Sequence, residues 1–306
     1  MAVPHRFLKG MGFAVLVLLL ASPLLAQVED QISAYTGRNA SGYLQPLADA
    51  FGADLNDGLF HSAYIPRMKF NISVEFRVMG VLFGDDDRTF MATTESGFAP
   101  EQTVAAPTVV GSGNAVFVDG AGGTRFAFPG GFNLNSFALA VPQIRVGSYM
   151  GTEALIRYIA FDTGDVELGD ISLVGFGLRH SLSQYLAPTF PLYIAAGFFW
   201  QRFTLGENQR GGNLISTNAF SFGAQASRRF QVFEPYGGVS FDTFSMDVEY
   251  ESDALGTTQS IDLEFETDTT LHLTLGLGFN FTYARAFAEY SVAGQNSFSF
   301  GLAFGN

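Results

Sequence analysis

From Leu271 to Phe281 the chain alternates without a break. Leu271, Leu273, Leu275, Leu277, Phe279 and Phe281 hold the odd positions; His272, Thr274, Gly276, Gly278 and Asn280 hold the even ones. Successive side chains of a β-strand point to opposite faces. This stretch is therefore a strand with one greasy face and one polar or small face. Its length matches a tilted strand that crosses a bilayer, which takes about 9–11 residues. The pattern recurs. Phe70, Ile72, Val74, Phe76 and Val78 oppose Lys69, Asn71, Ser73, Glu75 and Arg77. Phe220, Phe222, Ala224 and Ala226 oppose Ser221, Gly223, Gln225 and Ser227, and Leu192, Ile194, Ala196, Phe198 and Trp200 form another apolar file. Near the end, Phe298, Phe300, Leu302 and Phe304 oppose Ser297, Ser299, Gly301 and Ala303.

A soluble β-sandwich also alternates, but its outward face carries many Lys and Glu. Here the second face is Gly, Ser, Thr, Asn and Ala with sparse Arg and Glu, which suits a crowded barrel interior. Charged residues are 15% of the chain, well under the usual share of about 25%. After the N-terminal leader no run is long and apolar enough for a spanning helix. The expected fold is all-β: a transmembrane, antiparallel up-and-down β-barrel over 67–306. About ten strands are expected, at 68–83, 136–147, 151–162, 169–181, 191–205, 214–228, 235–250, 259–281, 282–293 and 296–305. The Gly- and Pro-rich stretch 84–135 reads as one long outer loop, with room for a hairpin that would raise the count to 12. Parity then puts the turns near 148–151, 229–234 and 281–283 on the periplasmic side.

The N-terminus reads as a secretory leader. His5, Arg6 and Lys9 precede an apolar run from Met11 that Pro23 breaks, and cleavage is expected after Ala26. Export to the outer membrane follows. There is no cysteine, so disulfides, thiolate metal sites and a lipid-modified cysteine are excluded. The net charge of −13 argues against nucleic acid as a partner. Residues 27–66 do not alternate. Tyr43–Asn56 reads as a short amphipathic helix with Leu44, Leu47, Ala48, Phe51 and Leu55 on one side, Pro46 suiting only its first turn. Two placements of 27–66 stand: a soluble periplasmic segment, or a plug inside the barrel.

Candidate chemistry is confined to interior charge. Glu75, Arg77, Arg145, Glu153, Arg157, Arg179, Arg202, Arg285 and Glu289 are expected to face the lumen. Residues four apart on a strand lie about 13 Å apart, so such charges need cross-strand partners. They form either a polar track for solute or structural ion pairs, with Tyr283 and Phe287 helping to seal the lumen. His272 faces inward beside Thr270 and Thr274, with Asp268 nearby, and His180 closes a strand; neither forms a triad. Acidic groups at Asp85–Asp87, Asp162, Asp165, Glu167, Asp170, Glu249, Glu251, Asp253, Asp262, Glu264, Glu266 and Asp268 lack calcium-loop spacing. No catalytic residue, metal site or cofactor is expected, and no enzymatic activity.

The segments DISLVGFGLRHSLSQYLAP (170–188), PQIRVGSYMGTEALIRYIAF (142–161) and EPYGGVSFD (234–242) resemble a family of uncharacterised outer-membrane barrels of double-membrane bacteria, known only as a domain of unknown function. The resemblance covers roughly 43–306 and brings no site residues. More distantly, the layout resembles long-chain fatty-acid transporter barrels, which carry an N-terminal plug; that likeness implies transport. The expected function is a passive or facilitated route for small molecules, hydrophobic ones among them. The alternative is a non-conducting structural or surface-interaction barrel. Expected partners are outer-membrane lipid and the barrel-assembly machinery.

Overall fold

The computed structural model describes residues 35, 37–95, 97–162, 170–206, 213–252 and 259–305. The expected leader and its cleavage site lie outside these residues, as do Asp165, Glu167 and Asp253. The first helix, α1 (Gly37–Asn56), leads into β1 (Met68–Leu82). Two small hairpins follow, β2 (Thr89–Thr93) with β3 (Thr103–Pro107) and β4 (Val116–Asp119) with β5 (Arg125–Phe128). Then come β6 (Ser136–Tyr149), β7 (Thr152–Asp162), β8 (Asp170–Ser181), β9 (Tyr193–Leu205) and β10 (Ile215–Ser227). The chain ends with β11 (Phe233–Ser252), β12 (Gln259–Asn280), β13 (Ala284–Val292) and β14 (Ser297–Gly305).

Strands β1 and β6 to β14 form one closed antiparallel barrel of ten strands, each paired with its chain neighbour and β14 closing on β1. The hairpin foreseen within 84–135 exists twice over, but both copies form separate two-stranded sheets and leave the barrel count at ten. The alternation places side chains as the sequence demands. Leu271, Leu273, Leu275, Leu277 and Phe279 are all outward and exposed, Leu275 by 74%. Phe76, Trp200, Phe222 and Phe300 join them, so an apolar girdle surrounds the barrel.

Two irregularities shape the wall. The first is a bulge in β12. Asp242 pairs with Thr270 and Phe244 with Thr267, so β12 carries one extra residue. A one-residue shift exchanges the faces of a strand. On one side of the bulge His272 points inward; on the other, Leu263 and Phe265 do. The outward face beyond the bulge becomes acidic, with Asp262 directly opposite Glu249 and Glu264 opposite Asp247. The second irregularity is at Pro142. Strand β6 pairs with β1 from Asn71↔Gly147 to Leu82↔Ser136, but with β7 only from Tyr149 to Gln143. Proline has no N–H to donate to a ladder, and pairing with β7 stops there. Among the described residues, Ser136–Pro142 has no partner strand on that side.

The lumen is filled by the chain's own N-terminal part. Helix α1 starts at Gly37, six residues before the expected Tyr43, so Pro46 sits mid-helix and leaves the Gly42 carbonyl without its helical donor. That is tolerated because neighbours surround the helix on most sides: Ala40, Tyr43, Leu44, Leu47, Phe51 and Leu55 are all buried. Phe51 meets Phe137 on β6 and Phe203 on β9, with ring centroids 4.7 and 5.5 Å away. Tyr43 and Tyr35 pack near the β2–β5 hairpins, the Tyr43 hydroxyl donating to the Gly130 carbonyl. Residues 57–66 then run through the polar half of the lumen towards the end with the short turns, where the Arg67 carbonyl accepts from Gly151. The barrel interior is thus apolar around α1 and polar around 57–66.

The parity switch in β12 yields a direct test. Leu275→Arg, outward in the girdle, should cost about 2–4 kcal/mol of folding stability in lipid vesicles. Glu264→Arg, outward beyond the bulge and facing Asp247, should cost nothing measurable. Urea unfolding of the reconstituted protein measures both, and equal losses would contradict the bulge.

Candidate functional site

Inward positions of strands in a closed barrel have no solvent to discharge them, so a charge there must be paired or hydrogen-bonded. The polar half of this lumen meets that demand with one connected network. Arg157 on β7 is fully buried. Its Nε donates to Gln143 Oε1 at 3.0 Å, and its Nη1 to Gln201 Oε1 and the Leu55 carbonyl, both at 3.3 Å. Its Nη2 donates to the Asp57 and Gly58 carbonyls, each at 3.0 Å. Leu55 lies in the last turn of α1, so the guanidinium sits at the helix C-terminus, where cations are favoured. Gly58 adopts a φ of 63°, a left-handed turn open to glycine; it turns these carbonyls onto Arg157.

Around this centre the other charges pair. Glu75 accepts from Arg145 at 2.6 Å and from Gln143 at 2.7 Å, and lies 3.3 Å from His61 Nε2. Arg77 donates to Glu289 at 3.2 Å, stacks over the Phe287 ring at 3.9 Å and also reaches Glu75, two residues away on its own strand, at 3.6 Å. Glu289 further accepts from Tyr236 at 3.0 Å and Ser299 at 2.5 Å. Arg179 donates to Glu153 at 2.5 Å and to the Ser62 carbonyl. Glu234, which sequence reasoning missed, accepts from Ser62 (2.5 Å), Ser227 (2.6 Å) and Arg229 (2.8 Å), and lies 3.3 Å from Arg285. Arg285 also donates to the His61 carbonyl at 2.7 Å. Asp57 accepts from Ser291 at 3.1 Å and Ser297 at 2.8 Å. Segment 55–62 is thereby tied to strands around the whole barrel.

Of the nine charges expected in the lumen, eight are there. Arg202 is the exception: it is exposed between the buried Gln201 and Phe203 and donates to Ser216 at 3.1 Å. Its position follows from the apolar file that ends at Trp200, since even positions on β9 point outward. Tyr283 is likewise 73% exposed at a turn and seals nothing, whereas Phe287 is buried. His272 meets Asp242 across the ladder, Nδ1 to Oδ2 at 2.5 Å; the Asp268 side chain lies outside what the structure describes. The pair borders a cavity of about 190 Å³ that Gly52, Asn56 and Gly294 also line. His180 is held by Thr152 at 2.8 Å and Gln184 at 2.7 Å, a turn-stabilising role. No cluster of three metal-ligating side chains occurs among the described residues.

Two ionisable groups of the inner segment have shifted equilibria. Burial pushes the His61 imidazole well below its usual range against the pull of Glu75, so it is neutral. Burial, reinforced by Asp57, pushes the Asp54 carboxyl well above the usual range; the Leu139 backbone N–H opposes this in part. An acid whose folded pKa is raised stabilises the fold below its unfolded pKa, and that contribution disappears as pH climbs through the folded value. Asp54→Asn should therefore flatten the stability profile between about pH 4 and neutrality and raise the midpoint of unfolding at pH 8. An unchanged pH profile in this variant would contradict the assignment.

A family model described as a family of unknown function (DUF6588) matches residues 8–306. No curated protein matches the chain. Among solved structures, the outer membrane protease OmpT from Escherichia coli is similar at 10% identity, covering 79% of this chain and 98% of its own, with a TM-score of 0.36. The translocator domain of the autotransporter NalP from Neisseria meningitidis shows 14% identity, 87% and 99% coverage and a TM-score of 0.32. A FadL homologue from Pseudomonas aeruginosa shows 8% identity, 89% and 94% coverage and a TM-score of 0.23. At these values the fold assignment rests on the closed ten-stranded sheet itself.

Proposed function

The chain belongs to the DUF6588 family of unknown function, and we propose that it is an outer-membrane barrel that gives small hydrophobic molecules a route through a seam in its wall. The observation that carries this reading is the end of the β6–β7 ladder at Pro142. From there to Ser136, about 20 Å of strand at 3.3 Å per residue, this side of β6 has no ladder partner among the described residues. An unpaired strand edge in lipid is costly, because no water satisfies its amides. Here the inner segment covers it: Phe51 packs on Phe137. The lumen behind the seam is lined by apolar side chains such as Leu139, Val141, Leu173 and Phe203. A shift of α1 by a few ångströms joins this apolar space to the lipid. Small exposed residues at the seam, Ala138 and Ala160, present little bulk to the outside, and Ala140 is buried beside them.

Passage along the axis is a poorer fit. The network around Arg157 fills the polar half, where the cavity beside Asp57 and Glu289 is only about 60 Å³. That packing is what favours the second reading, a closed structural barrel. In either case the leader directs export, the apolar girdle sits in the outer membrane, and the short turns face the periplasm. No step of this reading requires an enzyme's nucleophile or a cofactor.

The chain has one tryptophan, Trp200, outward on β9 between Phe176 and Phe220. Phospholipids brominated on their acyl chains should quench its fluorescence strongly; emission unchanged by bromine would remove the girdle from the membrane. The absence of cysteine allows a clean test of the seam. Ala138→Cys/Ala160→Cys bridged by a short bis-maleimide should cut fatty-acid uptake into proteoliposomes at least tenfold, while neither form passes a sugar. Uptake that survives the bridge would refute lateral passage; no uptake by the unbridged protein would favour the closed structural barrel.

A further inference from the structure

At the short-turn end of the lumen lies a cavity of about 400 Å³, within the size range of small-ligand pockets. Lys69, Arg145, Arg229 and Arg285 line it, against a single carboxylate, Glu153. Behind the wall Glu75 pairs with Arg145 and Glu234 is shared by Arg229 and Arg285, so the surplus around the cavity is Lys69 and one guanidinium, in a chain of net charge −13. Two donors at the cavity are buried with no hydrogen-bond partner among the described residues: Arg285 Nε and Asn280 Nδ2. Arg285 itself is only 8% exposed. Its Nη atoms are engaged by Glu234 and by the His61 carbonyl, which fixes the guanidinium plane and leaves Nε as the unused donor. Arg229 is held in the same way, with Nε on Glu234 at 2.8 Å and its guanidinium over the Tyr64 ring at 4.1 Å. Lys69, the only lysine beyond the leader, is exposed at the rim and free to reach in.

A buried, unmet donor is costly, and preorganised guanidinium groups match oxyanions geometrically. We infer that this cavity is a binding site for a small oxyanion, a phosphate or carboxylate group, entering from the end that carries the short turns. Arg285 Nε and Asn280 Nδ2 supply the inner hydrogen bonds, and Arg229 and Lys69 the outer charge. The site is independent of the seam between β6 and β7 and holds whether or not that seam opens.

Isothermal titration of the detergent-folded full chain with sodium phosphate, and separately with sodium hexanoate, against sodium chloride at matched ionic strength, tests this. Saturable binding of phosphate or hexanoate beyond chloride is expected. Lys69→Gln/Arg229→Gln, which removes two cations, should weaken it at least tenfold, the loss expected even if only one of them makes a charge-assisted contact. Asn280→Leu, which leaves every arginine in place, should weaken it severalfold; heat-dependent migration on gels confirms that both variants are folded. Adding phosphatidic acid to the micelles distinguishes the source: competition with phosphate assigns the site to a lipid headgroup, and no competition assigns it to a soluble anion. Heat no greater than that of chloride, or equal affinity in the folded variants, would overturn the site.

Discussion

A guanidinium at the centre of a closed barrel has to be satisfied by whatever else is in the lumen, and Arg157 is satisfied mainly by backbone. Three of its hydrogen bonds go to carbonyls of residues 55–58, and two to the amide side chains of Gln143 and Gln201. No carboxylate lies within ion-pair distance among the described residues. The consequence is reciprocal. Without the inner segment Arg157 would be an uncompensated buried charge, a loss of about 3–5 kcal/mol by analogy with a broken buried pair. Without Arg157 the Asp57 and Gly58 carbonyls, just past the end of α1, would lose its guanidinium as donor in a dry interior. Barrel and inner segment therefore fold as one unit.

The division of the lumen follows from this anchor. On one side, α1 continues as an apolar cylinder that supplies the core of the other half of the barrel, and it covers the β6 edge that Pro142 leaves unpaired. On the other, 57–62 contributes backbone carbonyls, His61, Ser62 and Asp57 to the paired charges of β1, β7, β8, β11 and β13. Segment 57–62 is held by many directional bonds; α1 is held by hydrogen bonds at its two ends, through Asn39, Tyr43 and Leu55, and by apolar contact along its middle. The apolar middle of α1 and the unpaired stretch of β6 thus lie in the same half of the barrel.

Much of the barrel was legible in the sequence because alternation is a local signal. The strand limits follow from it within a few residues, and eight interior charges follow from parity. Arg202 did not, because the file ending at Trp200 was not carried two residues further. The bulge at Asp268–Thr269 was hidden: a run of Thr and Asp looks alike on either face, and only pairing with β11 shows the extra residue. Partner choice was equally out of reach. His272 sits opposite Ser240 in register and meets Asp242 by diagonal approach, which no spacing along one strand reveals. The helix was placed, but its start and the mid-helix Pro46 were not, because burial on most sides overrides the local cost of proline. Pro142 was the one neglected sign, since proline inside an otherwise alternating strand marks an edge without a ladder partner.

The central claim is that residues 37–66 lie inside the closed barrel as a fixed part of it. Single-channel recording in planar bilayers tests it most directly. The intact protein should insert without steady ion conductance, and a folded variant lacking 37–66 should conduct. Steady conductance through the intact barrel, equal to that of the deletion, would contradict the account.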